Sequence, residues 1–300
     1  MLVSKNYVIV TDSTTDLPPK MAADWGLTII PFIYNLDGKE YYNHLDWSDL
    51  SVKDFYGALR AGKMGSTTQV NQFRYMEIWE PLLQEGRDIL YLCLSSGLSK
   101  SYEQSLLAAA ECREKYPDRK IIAVDSKAAS LGMGLLAYYA VKSRDAGMTL
   151  EDLAADLENR IAHLHHWVMA DDLHHLRRGG RVSGASAFVG SMLSIKPIIH
   201  VTDEGKLVPL HKARGRNKAL EFIVEQMNEH KAEPKNQPVF IAHSDVPELA
   251  NQLKDMIIAK FGPREFIINE IGPVIGAHTG PGTIALIFLG GKRLAGPQGQ

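Results

Sequence analysis

A histidine and a threonine stand between glycines in "IGPVIGAHTGPGTIALIFLG", Ile271 to Gly290, just ahead of an unbroken apolar run. His278 and Thr279 offer an imidazole and a hydroxyl, and Gly276, Gly280 and Gly282 keep other side chains away from them. A second polar group is "SSGLSKSYEQSLLAA", where a strand-like run gives way to Ser95, Ser96, Gly97 and Ser99 and then to a helical pattern. Hydroxyls and the free backbone N–H groups of a helix start converge there, which is chemistry for holding an anion. "GSTTQVNQF" has the same character, with Thr67 and Thr68 after Gly65 and ahead of a helical pattern. "TDSTTD" sets Asp12, Ser13, Thr14, Thr15 and Asp16 behind a buried strand. Each group also has a plainer role open to it, because Ser, Thr and Asp at such places cap helices and close turns.

Other chemistries fit less well. Ser99, His278 and Asp12 could form a hydrolase triad, but "SSGLS" lacks the G-x-S-x-G elbow whose strained turn exposes a nucleophilic serine. "HLHHWVMADDLHHL" holds His163, His165, His166, His174 and His175 with two acids, in a spacing that matches no standard zinc pattern, so no metal is expected. Arg177, Arg178 and Arg181 surround a Gly-Gly break in "LRRGGRVSG", and "HKARGRNKAL" adds His211, Lys212, Arg214, Arg216 and Lys218. Guanidinium groups fixed on a turn suit phosphate or carboxylate, and a solvated helix end is the alternative.

The elements that must position these residues follow from periodicity. Short β-rich runs alternate with helical patterns in the first half: "YVIVTDS", "LTIIPFIYNL", a helix through "WSDLSVKDFYGALRAG", then "DILYLCLSS", "SYEQSLLAAAECREKY" and "KIIAVDS". Such alternation predicts a mostly parallel sheet covered by helices. The strands run out into "TDSTTD", "SSGLSKS" and "DSKAAS", which collects hydroxyls and acids at the carboxyl edge of the sheet, where open α/β sheets bind ligands.

A helix from about 150 to 163, capped by Thr149, leads to a second region with a boundary near 165. "DDLHHLRRGGRVSGASAFVGSML" predicts a helix, a glycine break and a second helix, and "IKPIIHVTDEGKLVPLHKAR" a hairpin turning at "DEG". "KALEFIVEQMNEHK" and "VPELANQLKDMIIAKF" predict helices, and "PVFIAHS", "EFIINEIG" and "TIALIFLGG" strands. The expected fold is therefore α/β in two domains. Residues 1–165 build on a mostly parallel sheet flanked by helices, and residues 166–292 form an α+β layer of sheet and helices. Residues 293–300, Gly, Pro and Gln with almost nothing to bury, are expected to be a disordered tail.

Three hundred residues, 45% hydrophobic and 23% charged, with a formal net charge of -2, give no overall electrostatic reason to bind nucleic acid or an anionic membrane. Membrane contact is expected to be transient at most, since no run reaches spanning length. Cys93 and Cys112 lack metal-ligand spacing and read as reduced core thiols of a cytoplasmic protein.

In order and spacing, "VIVTDSTTDLP", "STTQ", "LSSGLSKSYEQS", "VDSKAASLGMG", "LRRGGRVS", "IKPII" with "GKL", "HKAR" and "IGAHTGPGTIAL" resemble the DegV family over nearly the whole chain. Characterised members of that family are the fatty-acid-binding subunits of bacterial fatty acid kinase. The resemblance implies a long-chain fatty acid such as palmitate, stearate or oleate in a tunnel near the domain interface, with its tail buried and its carboxyl group near the surface. It implies no cofactor and no chemistry by the chain itself, because a separate kinase phosphorylates the presented carboxyl group with ATP.

Matched to the family's motifs, Thr67, Ser99 and His278 would hold the carboxylate, with Ser13, Thr68, Ser95, Ser96, Gly97 and Thr279 in the supporting loops. Arg181 and Arg214, outside the hydroxyl loops, would engage the kinase. The chain departs from the family where "TSQPS" is "TTQVN" and where "LSGT" is "LSKS". The contacting hydroxyls survive, but Lys100 takes a positive φ less cheaply than the glycine it replaces. The apolar runs "ASAFVGSMLSI" and "SLGMGLLAYYA" could wall a tunnel or be ordinary core. The rival reading is a serine-type acyl or phosphoester hydrolase using Ser99 and His278.

Overall fold

The computed structural model describes residues 7–182, 195–231 and 237–296. The first half contains β1 (Tyr7–Asp12), α1 (Pro19–Asp24), β2 (Thr28–Ile30), β3 (Phe32–Leu36), β4 (Lys39–Asn43), α2 (Val52–Arg60) and β5 (Gly65–Thr68). It continues with α3 (Gln72–Gln84), β6 (Asp88–Cys93), α4 (Ser101–Lys115), β7 (Ile121–Asp125), α5 (Leu131–Asp145) and α6 (Leu150–Ile161). The strand order β2-β1-β6-β7 makes a four-stranded sheet whose pairs are all parallel. Central β1 is buried at every position, as a strand covered on both faces must be. Because its strands are parallel, the loops after β1, β6 and β7 all leave from one edge.

The second half contains β8 (Leu164–Met169), α7 (His174–Gly179), β9 (Ile195–Val201), β10 (Leu207–Arg214), α8 (Arg216–Glu229), β11 (Val239–His243), α9 (Pro247–Phe261), β12 (Phe266–Glu270), α10 (Pro273–Thr279) and β13 (Ile284–Leu289). A six-stranded sheet runs β10-β9-β8-β13-β11-β12, antiparallel except between β11 and β12. The expected hairpin is β9–β10, with a register shift between Pro209 and His211.

Helix α5 lies between the two sheets, touching β1 and β6 on one side and β8, β11 and β13 on the other. Its first ten residues bar Tyr139 are buried on every face, which suits a helix enclosed all round. Side chains add to the join: Tyr56 on α2 donates to the Ile271 carbonyl at 2.6 Å, Asn269 on β12 to the Asp16 carbonyl at 2.8 Å, and Arg60 pairs with Asp245.

Several elements differ from the sequence expectation. "GSTT" is not a loop but β5, an edge of a three-stranded antiparallel sheet, β4-β3-β5. Its polar residues give no apolar alternation by which to read it as a strand. His278 does not stand at a strand mouth but on α10, which Pro273 opens at a first-turn position where its missing N–H costs nothing. A cut between 165 and 166 would pass through β8, all of which belongs to the six-stranded sheet's span from Leu164.

The expected tail is a correction in part. Arg293 is buried and donates to the carbonyls of Leu164 at 2.5 Å, Lys127 at 2.8 Å and Thr202 at 3.1 Å, so residues 293–296 run along the body of the protein. The predicted second helix after the Gly-Gly break, with most of "ASAFVGSMLSI", lies outside the described residues.

Candidate functional site

Strand β5 hangs from β3 with Thr67 opposite Tyr34, and α10 packs onto it so closely that a Cβ at Gly65 would sit 2.8 Å from that of Ala277. This brings Thr67 Oγ1 within 2.9 Å of His278 Nε2. On the other side of the ring is Gly179 at the end of α7, where a Cβ would lie 2.2 Å from His278 Nδ1. Gly179 is thus the glycine that makes room for the imidazole. The glycines beside it in sequence clear space for other groups: Gly276 for the Tyr56 hydroxyl, Gly280 (φ 77°) for His175 and Gly282 (φ 80°) for Asp171. Burial, helped by the positive charge of Arg181, lowers the His278 pKa to about 4, so the ring is neutral at neutral pH. It then has one N–H to give and one lone pair to receive with.

Ser99 precedes α4. Its hydroxyl shares a 2.9 Å bond with Ser101 Oγ and accepts the Ser101 N–H, while Ser101 Oγ also accepts the Val70 N–H at 3.2 Å. Ser101, not among the predicted site residues, therefore ties the loop after β5 to the loop after β6. Lys100 has φ −81° and ψ 7°, a conformation open to any residue, so the lysine strains nothing.

Thr67, Thr68, Ser96, Gly97, Ser99, His278 and Thr279 all line one cavity of about 640 Å³. The rest of its wall is mainly apolar, with Leu94 and Leu98 from the parallel-sheet edge, Val168, Ile199 and Ala285 from the face of the six-stranded sheet, and Val274 from α10. A largely apolar hollow of that size with a few convergent polar groups is the usual form of a small-ligand site.

The remaining predicted residues fall elsewhere. Ser13 is buried and accepts the Phe32 N–H at 3.0 Å, which holds β3 and through it β5. Ser95 donates to the Gly205 carbonyl at 2.9 Å and so pins the β9–β10 turn. Neither lines the cavity. Arg181, expected outside the ligand site, lines the cavity, whereas Arg214 is exposed at the end of β10 and does not.

The hydrolase relay is not assembled. His278 bonds Thr67, Ser99 bonds Ser101, and Asp12 is buried accepting from Thr14, Tyr91 and the Leu94 N–H. Burial raises the Asp12 pKa to about 6 against those donors.

Of the histidine-rich stretch, His165 packs in the core and His166 lines the cavity. His165 and His200 are fully buried, His165 stacks on His230 at 4.3 Å and on Phe288 at 5.3 Å, and Trp167 lies 4.7 Å from His200. The described residues contain no group of three or more His, Cys, Asp or Glu that could hold a metal ion, and no helix among them is long and apolar enough to cross a membrane.

Comparison with known proteins agrees with this architecture. A family model described as uncharacterised protein, DegV family, matches residues 6–290. A DegV domain-containing protein of Clostridium perfringens is 44% identical over 286 residues, covering 95% of this chain and 98% of the relative. Among solved structures, a fatty-acid-binding DegV family protein from Thermus thermophilus is 30% identical with a TM-score of 0.86, covering 95% of this chain and 99% of its own. DegV of Bacillus subtilis, a fatty acid binding protein, is 29% identical with a TM-score of 0.82 over 95% of this chain and 99% of its own. By sequence and by fold, the chain belongs to the DegV family.

Proposed function

We propose that the chain binds a long-chain fatty acid, tail in the apolar cavity and carboxylate at Thr67, Ser99 and His278, and presents that carboxylate to a fatty acid kinase in the cytoplasm. The observation that carries the reading is the Thr67–His278 pair on the wall of an otherwise mainly apolar cavity. A neutral imidazole and two hydroxyls can each donate to a carboxylate without a buried counter-charge, and bonds to an ionised acceptor are stronger than neutral ones.

The tail supplies most of the affinity. Each buried methylene contributes about 0.8 kcal/mol, so roughly fifteen give on the order of 12 kcal/mol before association and ordering costs are subtracted. The polar trio then sets which end faces outward. The chain performs no bond chemistry in this reading; the kinase, a separate protein, transfers the phosphoryl group from ATP to give an acyl phosphate. Arg181 at the cavity and Arg214 on the outer strand would meet that partner. Two relatives described as fatty-acid-binding proteins support the ligand class.

The test is direct. Organic extraction of the purified chain followed by mass spectrometry should yield intact palmitate, stearate or oleate, and the delipidated chain should rebind it. Added to a fatty acid kinase catalytic subunit with ATP, the loaded chain should support acyl phosphate formation. A chain that neither carries nor rebinds such an acid sinks the proposal, and ester turnover lost in Ser99→Ala would replace it with the hydrolase.

A further inference from the structure

Away from Thr67 and His278 the cavity is not uniformly apolar. Ser130, just before α5, and His166 on β8 both line it, and they are only 6% and 3% exposed. Neither the Ser130 hydroxyl nor either ring nitrogen of His166 has a hydrogen-bond partner among the described residues. Buried hydroxyls and imidazoles nearly always have one.

The backbone is shaped to keep these two side chains where they are. Gly132, in the first turn of α5, lies so close to His166 that a Cβ would fall 1.7 Å from Nε2. Glycine inside a helix costs about 1 kcal/mol relative to alanine, and here the imidazole requires it. Ser130 holds φ 54° and ψ −144°, a region that favours glycine, and makes no side-chain capping bond to α5, the ordinary task of a serine before a helix. Behind Ser130 is Asp16, also buried. Neither of its carboxyl oxygens makes a hydrogen bond of normal geometry, although the Ser130 hydroxyl and the Gly272 N–H are near it.

We propose that Ser130 and His166 form a second polar subsite on the wall of the acyl cavity, which takes a hydroxyl group on the ligand chain and so gives the protein a preference for hydroxylated long-chain fatty acids. A hydroxyl both donates and accepts, so it can satisfy an imidazole nitrogen and a serine at once, whereas a methylene leaves both ring nitrogens of His166 without partners. The subsite suits an uncharged group. Burial drives the His166 pKa well below and the Asp16 pKa well above the usual range, which favours the uncharged form of each, so a charged ligand group there would be poorly compensated. The inference rests on the fatty-acid reading above. With the carboxylate fixed at Thr67, Ser99 and His278, only a narrow range of chain positions can bring an oxygen to Ser130 and His166.

The experiment titrates the delipidated chain with stearic acid and with a positional series of monohydroxystearic acids in a calorimeter. The series should peak at one hydroxyl position that binds at least as tightly as stearic acid, with other positions weaker by about tenfold, the cost of burying an unpaired hydroxyl. His166→Leu should abolish the peak, read as the ratio of hydroxystearic to stearic acid affinity within that variant. Ser130→Gly, which relieves the positive φ, should lower the peak and provides the test should His166→Leu fail to fold. A series without a peak, or a peak that survives in both variants, overturns the proposal. If stearic acid itself does not bind, the fatty-acid reading falls and the subsite with it; if it binds with no positional preference, only the subsite falls.

Discussion

Two groups of histidines make opposite use of the same side chain. Buried His165 and His200 and half-buried His230 pack ring against ring with Trp167 and Phe288 on the six-stranded sheet and serve as flat aromatic bodies. His165 Nε2 lies 2.9 Å from the Gly291 carbonyl and His200 Nδ1 lies 3.1 Å from the His166 carbonyl, so backbone oxygens occupy their N–H groups. His278 stands alone on a short helix, meets a side-chain hydroxyl and faces a cavity. Ring stacking marks the structural group; a histidine that meets a side-chain hydroxyl on a cavity wall marks the site.

Acid should act most strongly on the stacked group, where two imidazoles bear the cost that His278 bears alone. Burial lowers His165 from an ordinary 6.5 to about 4 and His200 to about 3, with neighbouring His230 and the buried Arg293 adding to the cost of charging them. The unfolded chain takes up these protons first. Stability is therefore full above about pH 6.5 and is lost as pH falls toward about 4, by roughly 3 kcal/mol for each such imidazole. Urea midpoints across that range should fall steeply, and His165→Phe should flatten the slope; a wild-type midpoint that does not move would mean the stack is not held neutral in the core.

At the site, the same residue type should govern ligand rather than fold. His278→Ala is expected to weaken fatty-acid binding by about 1 to 3 kcal/mol, the value of a hydrogen bond to a charged group, with little change in urea midpoint at neutral pH. Calorimetry with stearic acid and with stearyl alcohol sharpens this, since only the acid should lose affinity. Gly179→Ala should produce a smaller loss of the same kind, about 1 kcal/mol, by pushing the His278 ring off Thr67 even though alanine favours the helix. Equal affinity in Gly179→Ala would show that the ring need not be clamped.

The smallest effect is reserved for Arg214. Arg214→Ala should leave fatty-acid affinity within about twofold, roughly 0.4 kcal/mol, yet lower acyl phosphate formation with the kinase, a loss that added salt should mimic. Arg181→Ala should disturb both measurements, because Arg181 lines the cavity. If Arg214→Ala lost ligand in proportion to turnover, the outer strand would belong to the binding site as well.

Much of this arrangement was legible before any coordinates. "YVIVTD" and "DILYLC" are apolar enough to announce strands buried on both faces, and the hydroxyl loops that follow them had to share an edge. Thr67, Ser99 and His278 come from different segments, yet their residue types and their glycine context drew attention to each. What stayed hidden depends on contacts between distant parts of the chain. "GSTT" carries no pattern of its own and becomes a strand only because β3 pairs with it. Gly179 looks like the stop of a basic helix, and its role emerges only when α10 lies beside it. Arg181 sits in a run of surface-like arginines, and nothing local distinguishes the one that lines the cavity.

Helix α5 touches strands of both sheets. Its two faces must therefore suit two separate surfaces at once, and a change on either surface is answered by the same stretch of sequence. The halves of this protein are consequently poor units for exchange: a chimera joining the parallel sheet of one relative to the six-stranded sheet of another would inherit an α5 fitted to only one of them. Substitutions along α5 should be tied to substitutions on β6 and β13 together, binding the history of the two sheets through a helix none of whose residues lines the cavity.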